Sequence, residues 1–212
     1  MIYGARPDGS AKVLLDIIRS AGQYDVVGFL DDDRARHGTL AGLPVHGGRE
    51  RLPELTGLGI HAVAFAVGDN HLRAALVQAA IACGLAVPAA IHARAVVASG
   101  VQIGDAVWMA AGAVVNPGVS VGQGVVINTG ATIDHDCSIE DYANVSPGCH
   151  LSGRTSVGQY AFLGTGVVTL PDAVIHRDSI VGAGAVVLRS VSRGATAVGV
   201  PARELPRPRK TY

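Results

Sequence analysis

The stretch INTGATIDHDCSIEDYANVSPGCHLSG, residues 127–153, holds two of the chain's eight histidines and two of its three cysteines. Four chemistries use such residues: metal ligation, a disulfide, a cysteine nucleophile, and general base catalysis by histidine. The spacing sorts them. No HxxxxH pair occurs anywhere in the chain, and the hexads of His135, His150 and His176 are expected on three different faces. One chain then cannot gather them around a metal, although several copies could.

The stretch is part of a longer rhythm. Every sixth residue from Ile91 to Val181 is aliphatic in fifteen of sixteen cases, the exception being Thr169, and the residue four places later is always small or β-branched. The place between, three after each aliphatic, is Gly in eight hexads and Asp in three, which suits a turn at positive φ. A six-residue period with one large and one small inward residue predicts a three-sided β-solenoid, each coil made of three hexads. Cys137 and Cys149 fall in the small inward slot, so they read as core filler. Only places three hexads apart stack on one face, and these two are two hexads apart, so a disulfide is disfavoured. His135 stands at a corner, where it should point outward. Its neighbour Asp136 occupies the turn place.

Residues 1–88 have a different rhythm. Met1–Ala5, VVGFL at 26–30 and HAVAFAV at 61–67 read as strands. Ser10 is placed to cap a helix through Val13, Leu14, Ile17 and Ile18, and a second helix over 71–83 closes at Gly84. Alternating strands and helices imply a parallel, Rossmann-like sheet that binds ligands at its carboxyl edge, here the loops Gly4–Ser10, Asp31–Asp33 and Gly68–Asn70. Gly9, Ser10 and Ala11 could offer amides to an anion at a helix start. No GxGxxG is present, which weakens a dinucleotide reading.

Composition sets outer limits. Half of the residues are hydrophobic but 4% are aromatic, so Ala, Val, Ile and Gly must fill a thin, repetitive core. Seventeen basic residues balance seventeen acidic ones, leaving no general attraction to nucleic acid or anionic membrane; the RPRK tail at 207–210 is too short to alter that. No run is long enough to span a membrane, no signal-peptide pattern opens the chain, and three scattered cysteines suit a reducing compartment. The expected location is the cytoplasm.

The hexad rhythm resembles that of the left-handed β-helix acyltransferases. More narrowly, GFLDDD, VGDN, INTGATIDHD, GCHLSG and VGVPAR resemble motifs of the bacterial nucleotide-sugar acetyltransferases, a group including UDP-4-amino-sugar N-acetyltransferases and sialic acid O-acetyltransferases. The resemblance implies an α/β nucleotide-sugar-binding domain over 1–88 and a left-handed parallel β-helix with a carboxy-terminal cap over 89–212. It implies direct transfer from acetyl-CoA to a nucleotide-linked amino sugar, in particular the 4-amino group of a 4-amino-4,6-dideoxy sugar. His135 would be the general base and Asp136 its partner, where family members usually carry Glu.

By the same resemblance, Asn128 would contact the sugar region and Gly153 would offer an oxyanion donor. Asn144 stands where relatives have a His that touches acetyl-CoA, while Gly164, Thr165 and Ala183 would line the acetyl-CoA groove between subunits of a homotrimer. Asp31 and Asp32 would bond the base or ribose, with Gly68 beside them. The loop GARPDGS departs from the family, with Ser10 in place of a His and about two extra residues. No metal is implied, and a ligand contact by His150 stays open. Two other readings stay open: sugar O-acetylation with the same base, and a non-catalytic sugar-nucleotide-binding trimer.

Overall fold

The computed structural model describes residues 1–6, 9–36 and 38–206. Pro7 and Asp8 of the GARPDGS loop and the RPRK tail lie outside the described residues.

The amino-terminal unit is a five-stranded sheet in the order β3-β4-β2-β1-β5, formed by β1 (Ile2–Tyr3), β2 (Phe29–Leu30), β3 (Gly38–Leu40), β4 (Leu43–Val45) and β5 (Ala64–Phe65). Strands β4, β2, β1 and β5 are parallel, and β3 returns antiparallel to β4. The β3–β4 hairpin is an addition to the three strands read from the sequence. Its two-residue turn, Ala41–Gly42, has φ of 50° and 80°, a mirror-type turn that normally announces itself as Asn-Gly or Asp-Gly. Helix α1 (Ala11–Ala21) buries Leu14, Ile17 and Ile18 and ends at Gly22 in the left-handed region. Helix α2 (Asn70–Ala82) is capped by Asp69, whose Oδ1 accepts the Leu72 amide at 2.8 Å. Ser10 does stand at the start of α1, but its side chain makes no cap; its hydroxyl donates to Ala66 O at 3.4 Å.

From Ala90 onward eighteen two-residue strands wind into three parallel sheets. Each strand pairs with the strand one coil on, as in Val114↔Thr132, Ser120↔Ser138 and Val126↔Asn144. One face runs through Trp108, Val126, Asn144 and Phe162, the next through Val114, Thr132, His150 and Val168, and the third through Ser120, Ser138 and Ser156. The register holds until the last coil, which is two places short, with Ile180 opposite Thr196 and Val174 opposite Ser190. Anchors from Met109 to Val187 are buried, with Cys137 and Cys149 beside them as free thiols. Burial in this apolar interior pushes both thiols up. The turn place is left-handed in every hexad from Gly100 to Gly184, including those that carry Ala106, Tyr142, Arg154 and Tyr160. Strand Thr196–Val198 and its antiparallel partner Arg203–Glu204 extend one sheet past the last coil.

The two parts share packing. One core cluster joins Ile2, Leu14, Ile17 and Phe29 to Trp108 and Val126; another joins Tyr3, Phe65, Leu76 and Val77 to Tyr142. The α/β unit therefore sits on the Trp108 face and on the corner that carries Gly124, Tyr142 and Tyr160.

Candidate active site

The corner after the His150 face holds the strongest constellation. His135 Nδ1 lies 2.8 Å from Asp136 Oδ2, with side chains 50% and 62% exposed. An imidazole that donates from Nδ1 to a carboxylate leaves Nε2 as acceptor, and Nε2 bonds to none of the described residues. Asp136 has φ +58°, so the structural turn and the contact with His135 are made by one residue.

Behind the pair is a second layer. Asp134 Oδ1 accepts the His135 amide at 2.8 Å and the Asn116 side-chain amide at 2.9 Å. These donors, the His135 amide first, hold the Asp134 carboxyl below the ordinary range. Gly153 lies one coil above His135, and a Cβ on it would come within 2.6 Å of His135 Nε2. Arg154 pairs with Asp172 through two hydrogen bonds of 2.6 and 2.9 Å, and that pairing holds the Asp172 carboxyl down.

Other expected residues fall elsewhere. Gly164, Thr165 and Ala183 adjoin one another on the preceding corner; a Cβ on Gly164 would stand 2.6 Å from Ala183 N, so close coil stacking alone requires glycine there. Asn128 is on the same corner, its Oδ1 accepting the Thr129 amide at 2.8 Å. Asn144 is 7% exposed on the Trp108 face and accepts the Ser146 hydroxyl at 3.4 Å. His150 is exposed, with Nδ1 2.8 Å from Thr132 Oγ1. His150 belongs to the strand His150–Leu151, which pairs with Thr132–Ile133, so it shares a face with the segment leading to His135. This corrects the expectation of three separate faces: the outward residue before an anchor lies on that anchor's face. Among the described residues no group of three His, Cys, Asp or Glu is placed to hold a metal ion.

At the carboxyl edge of the α/β sheet, Asp31 is buried and accepts the Ala5 amide at 2.7 Å, the Asp33 amide at 2.9 Å and Arg36 Nη1 at 3.2 Å. It fastens the β1 loop to the β2 loop. Asp32 Oδ2 accepts Arg49 Nε at 2.7 Å; burial raises this carboxyl, but Arg49 and Tyr3 together hold it low. Gly9, Ser10, Ala11 and Gly68 line the same edge, with Ser10 tied to Ala66. This edge and the His135 corner are on different sides of the β-helix within one chain.

Sequence reasoning missed Asn116, Asp134, Gly118 and Arg73. The signal for the first two was their separation of three hexads, which is one coil.

An α/β unit docked on a hexapeptide-repeat β-helix, with a histidine–carboxylate pair at a corner, defines the class of hexapeptide acyltransferases. Residues 1–80 match the family described as the PglD N-terminal domain. Among solved structures, the acetyltransferase domain of PglB from Neisseria gonorrhoeae FA1090 is 34% identical, with a TM-score of 0.90 over 96% of this chain and 98% of that one; the same domain has been solved in complex with acetyl coenzyme A. PerB from Caulobacter crescentus, in complex with CoA and GDP-perosamine, is 38% identical, with a TM-score of 0.91 over 97% of this chain and 96% of that one. WeeI from Acinetobacter baumannii AYE is 28% identical, with a TM-score of 0.79 over 96% and 98%. Comparison with curated proteins finds no match. The chain belongs to the PglD-type family of nucleotide-sugar N-acetyltransferases, with the left-handed β-helix of that family, and it is an acetyltransferase acting on nucleotide-linked amino sugars.

Proposed function

We propose that the chain acetylates the 4-amino group of a nucleotide-linked 4-amino-4,6-dideoxy sugar, using acetyl-CoA directly and His135 as general base. The observation that carries this reading is the unengaged Nε2 of a half-exposed histidine whose Nδ1 is fixed by Asp136 at 2.8 Å. The sugar amine attacks the thioester carbonyl carbon and gives its proton to Nε2. The tetrahedral intermediate places its oxyanion toward the Gly153 amide, then collapses. The C–S bond breaks, and the departing CoA thiolate takes the proton back from His135.

The division of labour follows the two parts, residues 1–88 holding the nucleotide and 89–212 carrying the chemistry. Gly9, Ser10 and Ala11 serve the diphosphate, and Asp31, Asp32 and Gly68 frame the base and ribose. Asn128 reaches the sugar. Gly164, Thr165, Ala183 and Asn144 serve acetyl-CoA. His135 and the Gly164–Thr165 corner lie on different edges of one rod, so a groove containing both forms between chains. This favours a homotrimer, in which a threefold axis repeats that groove three times. The 38% identity to PerB, solved with CoA and GDP-perosamine, supports a 4-amino sugar on a nucleoside diphosphate.

Among the described residues no helix is long and apolar enough to cross a membrane, and the proposed location remains the cytoplasm. The test is acetyl-CoA consumption against a panel of nucleotide-linked sugars. Turnover of the 4-amino members, with no turnover of their 4-hydroxy counterparts, is expected. Transfer to hydroxyls only, or binding without turnover of any member, contradicts the reading.

A further inference from the structure

Gly118 lies one coil before Asp136, at the same corner. A Cβ built on it would run into Asp136 Oδ1 and lie 3.3 Å from its Cγ. The Asp136 carboxylate therefore fills the volume that a side chain at 118 would take, with Oδ1 laid against the lower coil and Oδ2 turned to His135 Nδ1.

Backbone geometry favours this glycine but does not require it. Gly118 has φ 77°, but the same turn place is held by Ala106 at φ 60°, Tyr142 at φ 57° and Arg154 at φ 59°. At Gly112, the turn glycine of the neighbouring corner, a Cβ meets nothing nearer than 3.8 Å. The fold thus accepts side chains at this place, and the conflict at 118 is with the Asp136 side chain.

We infer that Gly118 is a positioning residue for the His135–Asp136 pair: its missing side chain lets the Asp136 carboxylate lie back and meet Nδ1, which fixes the tautomer that leaves Nε2 free as base. The inference rests on the reading of His135 as the base. Asp136 has a short side chain on a backbone held at φ +58°, so it has only its two side-chain torsions with which to reach Nδ1. A methyl group at 118 blocks that position. The other charged groups at this corner are Asp134, engaged by the His135 amide and Asn116, and Arg154 and Asp172, engaged by each other. None of them takes over the contact with Nδ1.

The experiment compares Gly118→Ala with Gly112→Ala, Asp136→Asn and the double variant Gly118→Ala/Asp136→Asn. Measured are kcat and KM, the nitrogen NMR shifts of the His135 ring, which report its tautomer, and thermal stability. Gly118→Ala is expected to lower kcat roughly tenfold, a fraction of the 10²–10⁴ that a positioned base supplies, with KM for both substrates unchanged. The nitrogen NMR shifts of the His135 ring move away from those of the Nδ1-protonated tautomer, because Nδ1 loses its carboxylate partner. Asp136→Asn gives the same change of tautomer, and the double variant is no worse than the worse single one. Gly112→Ala keeps wild-type kinetics.

If Gly118→Ala behaves as Gly112→Ala, or if its effect multiplies with that of Asp136→Asn, the inference is overturned. Should Gly118→Ala fold poorly, Gly118→Asn replaces it, because Asn enters the left-handed region readily; the nitrogen NMR shifts of the His135 ring in that variant then report the same tautomer without turnover. His135→Ala run alongside separates the two ideas: full activity there sinks the base assignment itself, whatever Gly118 does.

Discussion

At the scale of residues, the proposed base is held by backbone and neighbours more than by burial. His135 is half exposed, yet its amide is bonded to Asp134, its Nδ1 to Asp136, and its ring lies over Gly153. The acid behaviour of this corner follows. Asp134 and Asp172 both have folded-state values below the ordinary 3.8, so they add stability above that pH and lose it as pH falls through their depressed values. Asn116→Ala removes one of the donors to Asp134, so its folded value climbs back toward 3.8. The expected outcome is a lower Tm at neutral pH and a shallower fall in Tm between about pH 5 and pH 2. Calorimetry across that range checks it; parallel curves for variant and wild type would contradict the linkage. His135 and Asp136 were visible in the sequence as a corner histidine followed by a carboxylate, and the family resemblance gave them their roles. Asn116 and Gly118 were not, since each is defined by a partner one coil away whose orientation no local pattern gives.

At the scale of elements, α2 is the joint between the two parts. Arg73 is 1% exposed and donates to Gly124 O at 2.9 Å, Val67 O at 2.9 Å, Tyr142 O at 2.8 Å and Asn70 Oδ1 at 3.0 Å. All four acceptors are uncharged, and burial pulls the guanidinium down to about 10. Asn70 Nδ2 adds Tyr160 O at 2.9 Å. Three successive coils, at 124, 142 and 160, are thereby fastened to the loop that holds Gly68. Arg73→Met leaves the carbonyls of Val67, Gly124 and Tyr142 without their donor, at a cost on the order of 3 kcal/mol. Urea denaturation should show that loss, and KM for the nucleotide sugar should rise while KM for acetyl-CoA holds; equal changes in both would contradict a joint of this kind. The hexads were legible because every coil repeats the same inward pair. The joint was not, because Arg73 and its acceptors at 124 and 142 are 51 and 69 residues apart. The β3–β4 hairpin was hidden for a different reason: Ala41–Gly42 carries only half of the expected turn chemistry.

At the scale of the whole molecule, a core with few aromatic residues is sufficient because each coil buries one aliphatic and one small side chain per face. The coils stack in register, so their corners are evenly spaced. The α/β unit covers one face and one corner and leaves the corner of His135 uncovered; in the proposed homotrimer, the substrate held by one chain meets the base of its neighbour there. The decisive step of the proposed reaction is the passage of the attacking amine's proton to this histidine. Its most direct test is single-turnover acetyl transfer by wild type and His135→Ala to the nucleotide-linked 4-amino sugar that the panel identifies, with product followed by the mass gain of one acetyl group. The expected result is a loss of roughly 10²–10⁴ in the rate of transfer with acetyl-CoA binding intact; transfer at the wild-type rate would contradict it.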